Sequence, residues 1–437
     1  MSIKSKTAKN ICVIGAGHVG LVAAACFAHL GHKVICVDNN KKRINGLKKG
    51  IMPFYEPGLE KLVINGCKKE KLSFSFSISG SVKCSDLIFI AVGTPPMPDG
   101  SVDLIAVENV VKIIANNLND YKLIVSKSTV PVNTGKRLLK IIENNKKGKN
   151  SFDVASNPEF LREGKAIFDF FHPDRLIFGV GSQKAANLLH EVYSKIKTEK
   201  IVTDINTAEM IKYASNSFLA MKVSYINAIS CLSDKLGADI KKIAHAIGAD
   251  KRIGFDFLNA GIGYGGFCFP KDVQAFHYTA KKLGYDFRLL DEVQKINKNQ
   301  PKLFVKRIEE RLGTLKGKNF SVCGLSFKPN TSDIRFSPAI KVINLLLAKK
   351  AAVYVYDPQA IDNSKKILIG NVTYCKKPYL KSDIDCLCVL TEWAEFEKID
   401  FKKLKKQIPG LLVADGRNTL NREKIISNGF GYIGIGR

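Results

Sequence analysis

Cys268 has neighbours that would suit a catalytic nucleophile. It lies in the segment GIGYGGFCFPKD, after glycines that would let a ligand approach the backbone. Pro270 is well placed as the first residue of a helix through 273–283, so Cys268 is expected just before a helix N-terminus, where the dipole stabilises a thiolate. Asp272 lies four residues beyond the cysteine and can fold back toward it. A buried, inert thiol is the alternative interpretation.

Other polar groups of catalytic type lie in three further segments. Lys212 and Asn216 are four residues apart, so on a helix they would share one face and could hold an oxyanion or an alcohol oxygen. A helix edge that reaches solvent explains that pair equally well. Glu159 and Glu163, in SNPEFLREG, fall in a strand-to-helix turn, where carboxylates activate water or merely cap a helix. Thr129, in SKSTVP, ends another strand, beside the expected cofactor edge of a parallel sheet.

The segment NICVIGAGHVGLVAAACFAHLGHKVICVD has the pattern of a dinucleotide-binding turn. Gly15, Gly17 and Gly20 form G-x-G-x-x-G between a predicted strand and an Ala-rich helix, which suits a tight turn against a pyrophosphate. Asp38 ends the next strand, where a carboxylate accepts ribose hydroxyls and repels a 2′-phosphate, so NAD is predicted rather than NADP. Arg43 follows closely and weakens that preference. A structural turn with incidental glycines is the alternative.

Strand-like apolar runs alternate with helical stretches in the first and last parts of the chain. In the first part the predicted strands are 10–14, 33–37, 87–92, 123–126, 152–155 and 176–180. In the last part they are 320–325, 352–356, 384–390 and 411–414, with a helix at 338–348. Such alternation is typical of parallel sheets covered by helices on both faces.

The middle of the chain is predicted to be helical. Residues 207–236 contain neither Gly nor Pro and predict one long, largely buried helix that ends at Gly237. Its apolar positions are Met210, Ile211, Ala214, Phe218, Met221, Val223 and Ile226. The predicted fold class is α/β, with two Rossmann-like doubly wound domains joined by the long central helix and a helical middle domain. The predicted domains are 1–205, 206–315 and 316–437.

The two outer domains repeat one pattern of strand, glycine-containing turn, helix and a second strand that ends in aspartate. The aspartates are Asp38 and Asp357. Only the first domain has the phosphate-binding glycine spacing. The second therefore binds a nucleotide differently or reuses the fold without that function.

The composition is that of an ordinary globular protein, with 45% apolar and 25% charged residues. The net charge of +28 would attract anions, but the lysines are scattered as short pairs and no arginine-rich or aromatic-interleaved RNA-binding pattern is present. Small anionic molecules are therefore favoured over nucleic acid as partners. The eleven cysteines form neither a disulfide framework nor a paired C-x-x-C metal pattern, which favours a reducing cytoplasm and predicts no metal site.

The N-terminus superficially resembles a secretory signal. Lys4, Lys6 and Lys9 precede a mostly apolar run at 11–28. His18 and three glycines interrupt this run, and no suitable cleavage site follows. No other stretch reaches the ~18 uncharged apolar residues that a transmembrane helix needs, so no membrane span is expected.

Nine segments together resemble the UDP-glucose/GDP-mannose dehydrogenase family. They are GAGHVG, VGTP, KSTVP, SNPEFLREGKA, PDR, AEMIKYASNSFLAMK, RIG, GYGGFCFPKD and GLSFKPNTSDIR, in order, from about residue 10 to 420. UDP-glucose 6-dehydrogenases are the nearest branch. The resemblance implies that NAD oxidises C6 of UDP-glucose by four electrons. Cys268 would attack the aldehyde to give a thiohemiacetal and then a thioester, which is hydrolysed to the uronate.

The same resemblance implies roles for individual residues. Lys212 and Asn216 would stabilise the oxyanions, while Asp272, Glu159 and Thr129 would handle water and protons. The implied cofactor contacts are Gly15, Gly17, Gly20, Val19, Asp38, Arg43, Thr94, Thr129, Glu163 and Arg335. The implied contacts with the nucleotide sugar are Glu159, Phe160, Leu161, Lys212, Asn216, Arg252, Phe257, Gly265, Phe327, Lys328 and Arg417. The long helix would form the core of a homodimer, in which Arg252 could reach the neighbouring subunit's site.

Two residues depart from the family pattern. Phe267 precedes the cysteine where the family often has serine or another small residue, and His18 replaces the common tyrosine of the glycine turn. Both bear on specificity rather than on the chemistry. Two other functions stay open, namely a 6-dehydrogenase of GDP-mannose or a UDP-N-acetylhexosamine, and a noncatalytic binder of nucleotides or nucleic acid. Intact Cys268, Lys212 and Asp272 argue against the noncatalytic alternative.

Overall fold

The computed structural model describes residues 8–437, which form two compact units, one ending at Ser215 and the other running from Asn216 to Arg437. The division falls inside the long predicted helix rather than at its start. The finer division into three domains at 205 and 316 stays a prediction. Lys4 and Lys6, part of the apparent signal, lie outside the described residues.

The first unit alternates strands and helices. Its strands are β1 Asn10–Ile14, β2 Lys33–Val37, β3 Leu72–Ser75, β4 Leu87–Ile90, β5 Lys122–Ser126, β6 Phe152–Ser156, β7 Arg175–Val180 and β8 Glu199–Thr203. Its helices are α1 His18–His29, α2 Lys41–Lys48, α3 Leu59–Lys68, α4 Ile78–Lys83, α5 Ile105–Ala115, α6 Thr134–Asn145, α7 Ala166–Phe171, α8 Gln183–Val192 and the start of α9 Ile205–Leu236. The sequence did not predict β3 and β8, which are short strands at the two sheet edges with few apolar residues.

The strands form one sheet in the order β3-β2-β1-β4-β5-β6-β7-β8. The strand order reverses between β1 and β4, which makes the carboxyl end of β1 the switch point where doubly wound sheets bind ligands. The apolar run at 11–28 that resembled a signal forms β1 and α1. Both sheet faces are covered as predicted, since β1 directs Ile11 and Val13 into one apolar core and Cys12 and Ile14 into the other.

One pair of strands differs from the predicted parallel sheet. β6 and β7 are antiparallel and share only the pairs Ala155–Val180 and Ser156–Gly179. The segment between them contains only one helix, the six-residue α7, whereas parallel neighbours need a crossover that can return along the sheet face. As a result β7 continues beside the loop that follows β6, and Asn157 Nδ2 donates to the Ile177 carbonyl oxygen at 2.9 Å.

The second unit contains the rest of α9, three helices before the second sheet and four more among its strands. The helices before the sheet are α10 Ile240–Gly248, α11 Cys268–Lys282 and α12 Arg288–Leu312. The sheet region contains β9 Asn319–Cys323, α13 Pro338–Ala348, β10 Ala352–Tyr356, α14 Ile361–Ser364, β11 Val372–Tyr374, β12 Cys386–Val389, a 3₁₀ turn at Phe396–Lys398, α15 Phe401–Gln407, β13 Leu412–Asp415, α16 Arg422–Ser427 and β14 Gly431–Ile433. All strand pairs are parallel, in the order β11-β10-β9-β12-β13-β14. This repeats the order of β3 to β6 in the first sheet and confirms the predicted fold class.

The repeat extends to the turn after the first strand of each sheet. Gly15 and Gly324 have φ angles of +106° and +103°, and their N–H groups donate to the last residue of the next strand at 2.7 and 2.8 Å. The second aspartate is used differently, because Asp357 accepts the N–H groups of Leu325 and Ser326, the Ser326 hydroxyl and the indole N–H of Trp393. Asp357 Oδ1 also accepts the N–H groups of Gln359 and Ala360, so both of its oxygens hold the turn and the segment after β10.

The long helix α9 buries its polar face, which makes the predicted burial of its apolar positions wrong. Only Ile226 of the seven named apolar residues is buried, while Met210, Ala214 and Phe218 are exposed. The buried side chains are Glu209, Lys212, Asn216, Ser224 and Asn227 among others. Met210, Phe218, Tyr225 and Leu232 are 43%, 58%, 55% and 53% exposed and follow one another at seven or eight residues, so they form an apolar stripe along the opposite side.

Glu209 joins α9 to the start of α6. Its Oε1 accepts the Gly135 N–H at 2.8 Å, and the side chain is buried. Burial raises the pKa of Glu209 from 4.5 to about 7, against the lowering effect of backbone N–H donors at residues 133–135. Between about pH 4.5 and pH 7 the folded protein therefore binds more protons than the unfolded chain.

We expect the free energy of unfolding to fall by up to about 3 kcal/mol as the pH rises from 4.5 to 7, because the raised pKa of Glu209 makes its protonated form the more stable one in the fold. Glu209→Gln should abolish this part of the slope of the unfolding free energy against pH. Urea unfolding at a series of pH values measures it. Glu60→Gln, at an exposed carboxylate of α3, should leave the slope unchanged. Equal slopes in wild type and Glu209→Gln would contradict the assignment.

Candidate active site

The glycine turn after β1 has the geometry that close approach of a ligand requires. Gly15 has a positive φ, and a Cβ there would lie 2.5 Å from the Ala91 carbonyl oxygen. A Cβ on Gly20 would overlap the Gly15 carbonyl oxygen, so α1 rests directly on the turn. At Gly17 an added Cβ would meet no atom within 4 Å. The middle glycine therefore leaves room for a pyrophosphate against the backbone.

Asp38 lies at the end of β2 next to this turn. Its two oxygens accept the N–H groups of Ala16 and Asn40, each at 2.8 Å. Arg43 Nη1 donates to the same carboxylate at 2.9 Å. Arg43, which weakened the prediction of NAD over NADP, thus forms an ion pair with Asp38 and is not directed at a 2′-phosphate. The site fits an unphosphorylated adenosine ribose.

Thr94 and Thr129 lie next to each other beyond the carboxyl ends of β4 and β5. Thr94 Oγ1 donates to the Thr129 carbonyl oxygen at 3.0 Å, and Thr94 is buried while Thr129 is half-buried. Val19 packs against the apolar core from α1, and Glu163 is half-buried in the loop after β6. All four lie in the first unit, as their predicted contact with one cofactor requires.

His18, which departs from the family pattern, is the first residue of α1. Its ring stacks on Phe54 with centroids 4.7 Å apart, and its Nε2 lies 3.0 Å from Oε2 of the buried Glu56. Glu56 also accepts the N–H groups of Gly164 and Ala166 at 2.7 and 2.8 Å. The histidine therefore connects the glycine turn to the loop that carries Glu163.

Lys212 and Glu159 form a buried pair in the first unit. Lys212 Nζ donates to the Glu159 carbonyl oxygen at 2.5 Å and lies 3.3 Å from Glu159 Oε1. Glu159 Oε2 accepts the Leu161 N–H at 2.6 Å. The Phe160 ring lies between Arg175 and Lys212, with their charged groups 4.0 and 5.0 Å from its centroid. The site thus holds an ammonium group away from water, where its attraction for an oxyanion is strongest.

Sequence reasoning missed a second buried ammonium group, Lys127. Its Nζ donates to Asn157 Oδ1 at 3.0 Å and to Tyr193 Oη at 3.3 Å, and the Tyr193 hydroxyl donates to the same amide oxygen at 2.6 Å. Lys127 belongs to the SKSTVP segment already singled out for Thr129. A lysine in a polar segment is usually solvent-exposed, so no sequence signal indicated that this one is buried.

Asn216 and Asp272 form a buried pair in the second unit. Asn216 Nδ2 donates to Asp272 Oδ2 at 2.6 Å, and Lys271 Nζ lies 2.5 Å from Oδ1 of the same carboxylate. Lys212 and Asn216 are 3% and 5% exposed, so the alternative of a helix edge that reaches solvent is wrong. The Asp272 carboxylate is therefore held by two donors.

Cys268 is the first residue of α11, four residues before Asp272, and is half-buried. The prediction that the helix begins at Pro270 is wrong, because Phe267 already has helical angles of −74° and −32°. The thiol therefore lies within the first turn, where N–H groups without intrahelical partners concentrate. Phe267 is explained by its contacts, since the Arg335 guanidinium lies 4.5 Å and the Lys271 ammonium 5.7 Å from its ring centroid.

Arg417 holds the loops around the glycine-rich run together. Its guanidinium donates to the carbonyl oxygens of Leu390, Gly263 and Phe327 at 3.0, 2.9 and 3.2 Å. A Cβ at Gly265 would lie 2.6 Å from the Phe336 carbonyl oxygen. Lys328 and Arg335 lie in the same region, with Lys328 Nζ 5.3 Å from the Phe327 ring and Arg335 paired with Asp333. Four predicted contacts of the nucleotide sugar thus lie in one loop cluster with Arg335, a predicted cofactor contact; the four are Gly265, Phe327, Lys328 and Arg417.

Arg252 and Phe257 lie in the segment between α10 and α11. The Arg252 side chain is 88% exposed and paired only locally with Asp250 in the contacts that the structure records. Phe257 has a positive φ of 64°, and its ring centroid lies 5.9 Å from that of Phe269. The Arg252 guanidinium is therefore held at the surface by its own loop.

Models of three domains of one family match the chain in succession. The NAD-binding domain of the UDP-glucose/GDP-mannose dehydrogenase family matches residues 9–197, the central domain matches 206–299 and the UDP-binding domain matches 321–422. The chain belongs to the UDP-glucose/GDP-mannose dehydrogenase family. The match to the NAD-binding domain confirms NAD as the cofactor.

Relatives match over the full length of this family member. The UDP-glucose 6-dehydrogenase TuaD of Bacillus subtilis is 44% identical over 98% of this chain and 93% of its own. A UDP-glucose dehydrogenase structure from Pyrobaculum islandicum has a TM-score of 0.93 at 39% identity and covers 100% of this chain and 99% of its own. A UDP-D-ManNAc dehydrogenase structure from Pyrococcus horikoshii reaches 0.84 at 26% identity, over 98% and 99%.

The part of the chain that the structure describes contains no helix long and apolar enough to cross a membrane. Within residues 8–437 there is also no group of three or more His, Cys, Asp or Glu side chains that could hold a metal ion.

The two later glycines of the turn should separate cofactor binding from folding. Gly17→Ala should unfold like the wild type but bind NAD at least about tenfold more weakly, because its Cβ enters the pyrophosphate space. Gly20→Ala should lower the free energy of unfolding by about 2–3 kcal/mol, since its Cβ overlaps backbone. Chemical unfolding and fluorescence titration with NAD measure the two effects. Gly181→Ala, also in open space but after β7, should change neither.

Proposed function

We propose that the protein oxidises UDP-glucose to UDP-glucuronate with NAD, and that Cys268 carries the sugar between the two oxidations. The observation that carries this proposal is the position of Cys268 in the first turn of α11, the helix that also holds the buried Asp272. A dehydrogenase that stops at the aldehyde has no use for a nucleophilic thiol. An enzyme that continues to the acid needs one, because an aldehyde gives up a second hydride only after a nucleophile has added to it.

The reaction proceeds in four stages. The C6 alcohol loses a proton and a hydride to become an aldehyde, and the Cys268 thiolate then adds to the carbonyl carbon to form a thiohemiacetal. Loss of a second hydride gives a thioester, and water cleaves the carbon–sulfur bond to release the carboxylate and the thiol. NAD accepts the hydride in both oxidations. Each stage passes through a negatively charged oxygen at C6, which needs nearby cationic or N–H groups.

The residues of α9 supply these groups. Lys212 and Asn216 are one helical turn apart and are both buried, so each directs a donor into the interior of its unit. Their partners Glu159 and Asp272 are the carboxylates that accept protons and activate the hydrolytic water, with Thr129 as a further hydroxyl group. Glu163 and Arg335 contact the cofactor in this scheme. Lys328 and Arg417 contact the nucleotide sugar, and the loop cluster around Arg417 supports that assignment.

UDP-glucose is the sugar nucleotide that the comparisons favour. The relatives with that name are more similar to this chain, at 44% and 39% identity, than the UDP-D-ManNAc dehydrogenase at 26%. The UDP-binding-domain match favours UDP over GDP as the nucleotide. A noncatalytic binder of nucleotides or nucleic acid would have no use for buried Lys212 and Asp272.

A homodimer built on α9 accounts for the apolar stripe of that helix. Met210, Phe218, Tyr225 and Leu232 are about half exposed and lie on one side over more than six helical turns. A second copy would bring the same stripe to the same face, as a two-fold interface requires. The exposed Arg252 is then available to a neighbouring subunit.

The oxidation should produce about two NADH per UDP-glucose consumed, because both hydride transfers occur before product release. Absorbance of NADH during complete turnover of a limiting amount of UDP-glucose measures the ratio. GDP-mannose and UDP-N-acetylhexosamines in the same assay should give less than about a tenth of the kcat/KM. A ratio near one, or no turnover of any sugar nucleotide, would refute the proposed function.

Cys268→Ala should abolish uronate formation while NAD binding is retained, since the thiol is needed only for the second oxidation. Mass spectrometry of the products and fluorescence titration with NAD give the two readouts. Cys231→Ala, at another half-buried thiol, is the matched control and should leave uronate formation intact. Wild-type-like uronate production by Cys268→Ala would remove the thiol from the pathway.

Charges placed in the apolar stripe should break the homodimer. Phe218→Glu with Tyr225→Glu should shift sedimentation from dimer to monomer at micromolar protein concentration, because an apolar interface tolerates no unpaired carboxylates. Ile369→Glu is the control, since Ile369 is 87% exposed but lies outside α9. A wild type that sediments as a monomer, or a double variant that stays dimeric, would refute this interface.

A further inference from the structure

Lys127 is a buried ammonium group that the proposed reaction does not use. It lies just beyond β5 and is 4% exposed. Its Nζ is surrounded by neutral oxygens, namely the side-chain and main-chain oxygens of Asn157 at 3.0 and 3.4 Å and the Tyr193 hydroxyl at 3.3 Å. Among residues 8–437 no carboxylate lies within ion-pair distance of it. A buried charge without a paired counter-charge is costly to the fold, so its presence needs an explanation.

Two charged groups act on Lys127, and both belong to the candidate site. They are the Glu159 carboxylate, in the loop after β6, and the Lys212 ammonium, on α9. From the segment after α8, Tyr193 contributes a hydroxyl and a ring whose centroid is 5.9 Å from Nζ. Burial lowers the pKa of Lys127 to about 8, Glu159 opposes this shift and Lys212 adds to it. Two ammonium groups and one carboxylate leave this cluster with one net positive charge.

Lys127 also links two of the loops that carry catalytic groups. It precedes Thr129 by two residues, and its partner Asn157 precedes Glu159 by two residues. Asn157 is fully buried, and its amide nitrogen is fixed on the Ile177 carbonyl oxygen of β7. A single hydrogen-bonded centre therefore fixes the ends of β5 and β6 relative to each other.

We propose that Lys127 is a positioning residue that offsets the Glu159 carboxylate, so that the Lys212 ammonium group keeps a net attraction for a negatively charged oxygen. The inference rests on the proposed function, which places the C6 oxyanion at Lys212. Without the charge on Lys127, the carboxylate and Lys212 form a neutral pair. A unit charge several ångströms away in a dry site changes the energy of an oxyanion enough to alter its rate of formation about tenfold or more.

Three variants test the proposal. Lys127→Met removes the charge and keeps the length of the side chain, and Lys127→Arg keeps the charge at every pH. Tyr193→Phe removes both hydrogen bonds of the Tyr193 hydroxyl, with Lys127 and with Asn157, without changing any charge. We expect Lys127→Met to lower kcat for UDP-glucose at pH 7 at least about tenfold, with KM for UDP-glucose and Kd for NAD within about twofold. Tyr193→Phe should keep kcat within about threefold of the wild type.

The pH dependence of kcat separates charge from structure. In the wild type kcat should fall as the pH rises through about 8, because Lys127 loses its proton there. Tyr193→Phe should retain this fall, and Lys127→Arg should lack it. If Lys127→Met does not fold, the pH profiles of kcat for the wild type and Lys127→Arg still test whether the charge of Lys127 is required.

A stability titration gives a readout that is independent of turnover. The folded pKa of about 8 lies below the ordinary value of 10.5, so the unfolded chain binds more protons in this window and the stability of the wild type should rise with pH across it. Lys127→Met should lack this rise.

Several results would overturn the role of Lys127 in an active enzyme. One is a Lys127→Met variant whose kcat and pH profile equal those of the wild type, and another is equal loss of kcat in Tyr193→Phe and Lys127→Met. The role is also refuted if kcat of Lys127→Arg still falls at alkaline pH, or if kcat of the wild type does not fall near pH 8. Absence of any turnover by the wild type would instead remove the proposed function and this inference with it.

Discussion

The cost of burying polar and charged groups governs the region around α9. An ammonium or carboxylate group removed from water destabilises the fold by several kcal/mol unless hydrogen-bond partners replace the water. In the first unit, Glu209 accepts a hydrogen bond from the backbone N–H of Gly135, and Lys212 donates one to the Glu159 carbonyl oxygen. In the second unit, the Asn216 amide donates a hydrogen bond to the Asp272 carboxylate. These three side chains of the helix therefore fix other segments of their units, and two of the segments carry the candidate catalytic residues Glu159 and Asp272.

The same constraint explains the other face of the helix. A helix normally buries its apolar residues, and a periodicity analysis assumes this. Here the buried face holds mostly polar side chains, among them the candidate catalytic groups, and Phe218 and Tyr225 are left exposed in the single chain. The apolar pattern correctly indicated where the helix runs. It could not indicate which face turns inward, because that depends on partners far away in the sequence, such as Asp272, which is 56 residues from Asn216.

Local signals predicted much of the fold. The strands β1, β2 and β10 and the helix Pro338–Ala348 agree with the predicted limits, since alternation, caps and proline position are properties of neighbouring residues. The antiparallel direction of β7 was not predictable in this way, because a buried apolar strand has the same pattern in either direction. Among the candidate site residues, the glycine turn follows β1 and Asp38 follows β2, the strands to which the sequence analysis assigned them. Lys127 was missed because its burial arises only when three loops fold against one another.

The reversal of β7 has a mechanical consequence for the loop that carries Glu159. Because β7 runs back past the end of β6, Ile177 and Arg175 flank the loop on one side and contact Asn157 and the Phe160 ring. A loop framed by a strand has few alternative conformations and little conformational entropy to lose when a ligand arrives. The entropy is lost when the chain folds, so binding energy from the nucleotide sugar need not be spent on ordering this segment and remains available to stabilise the transition state.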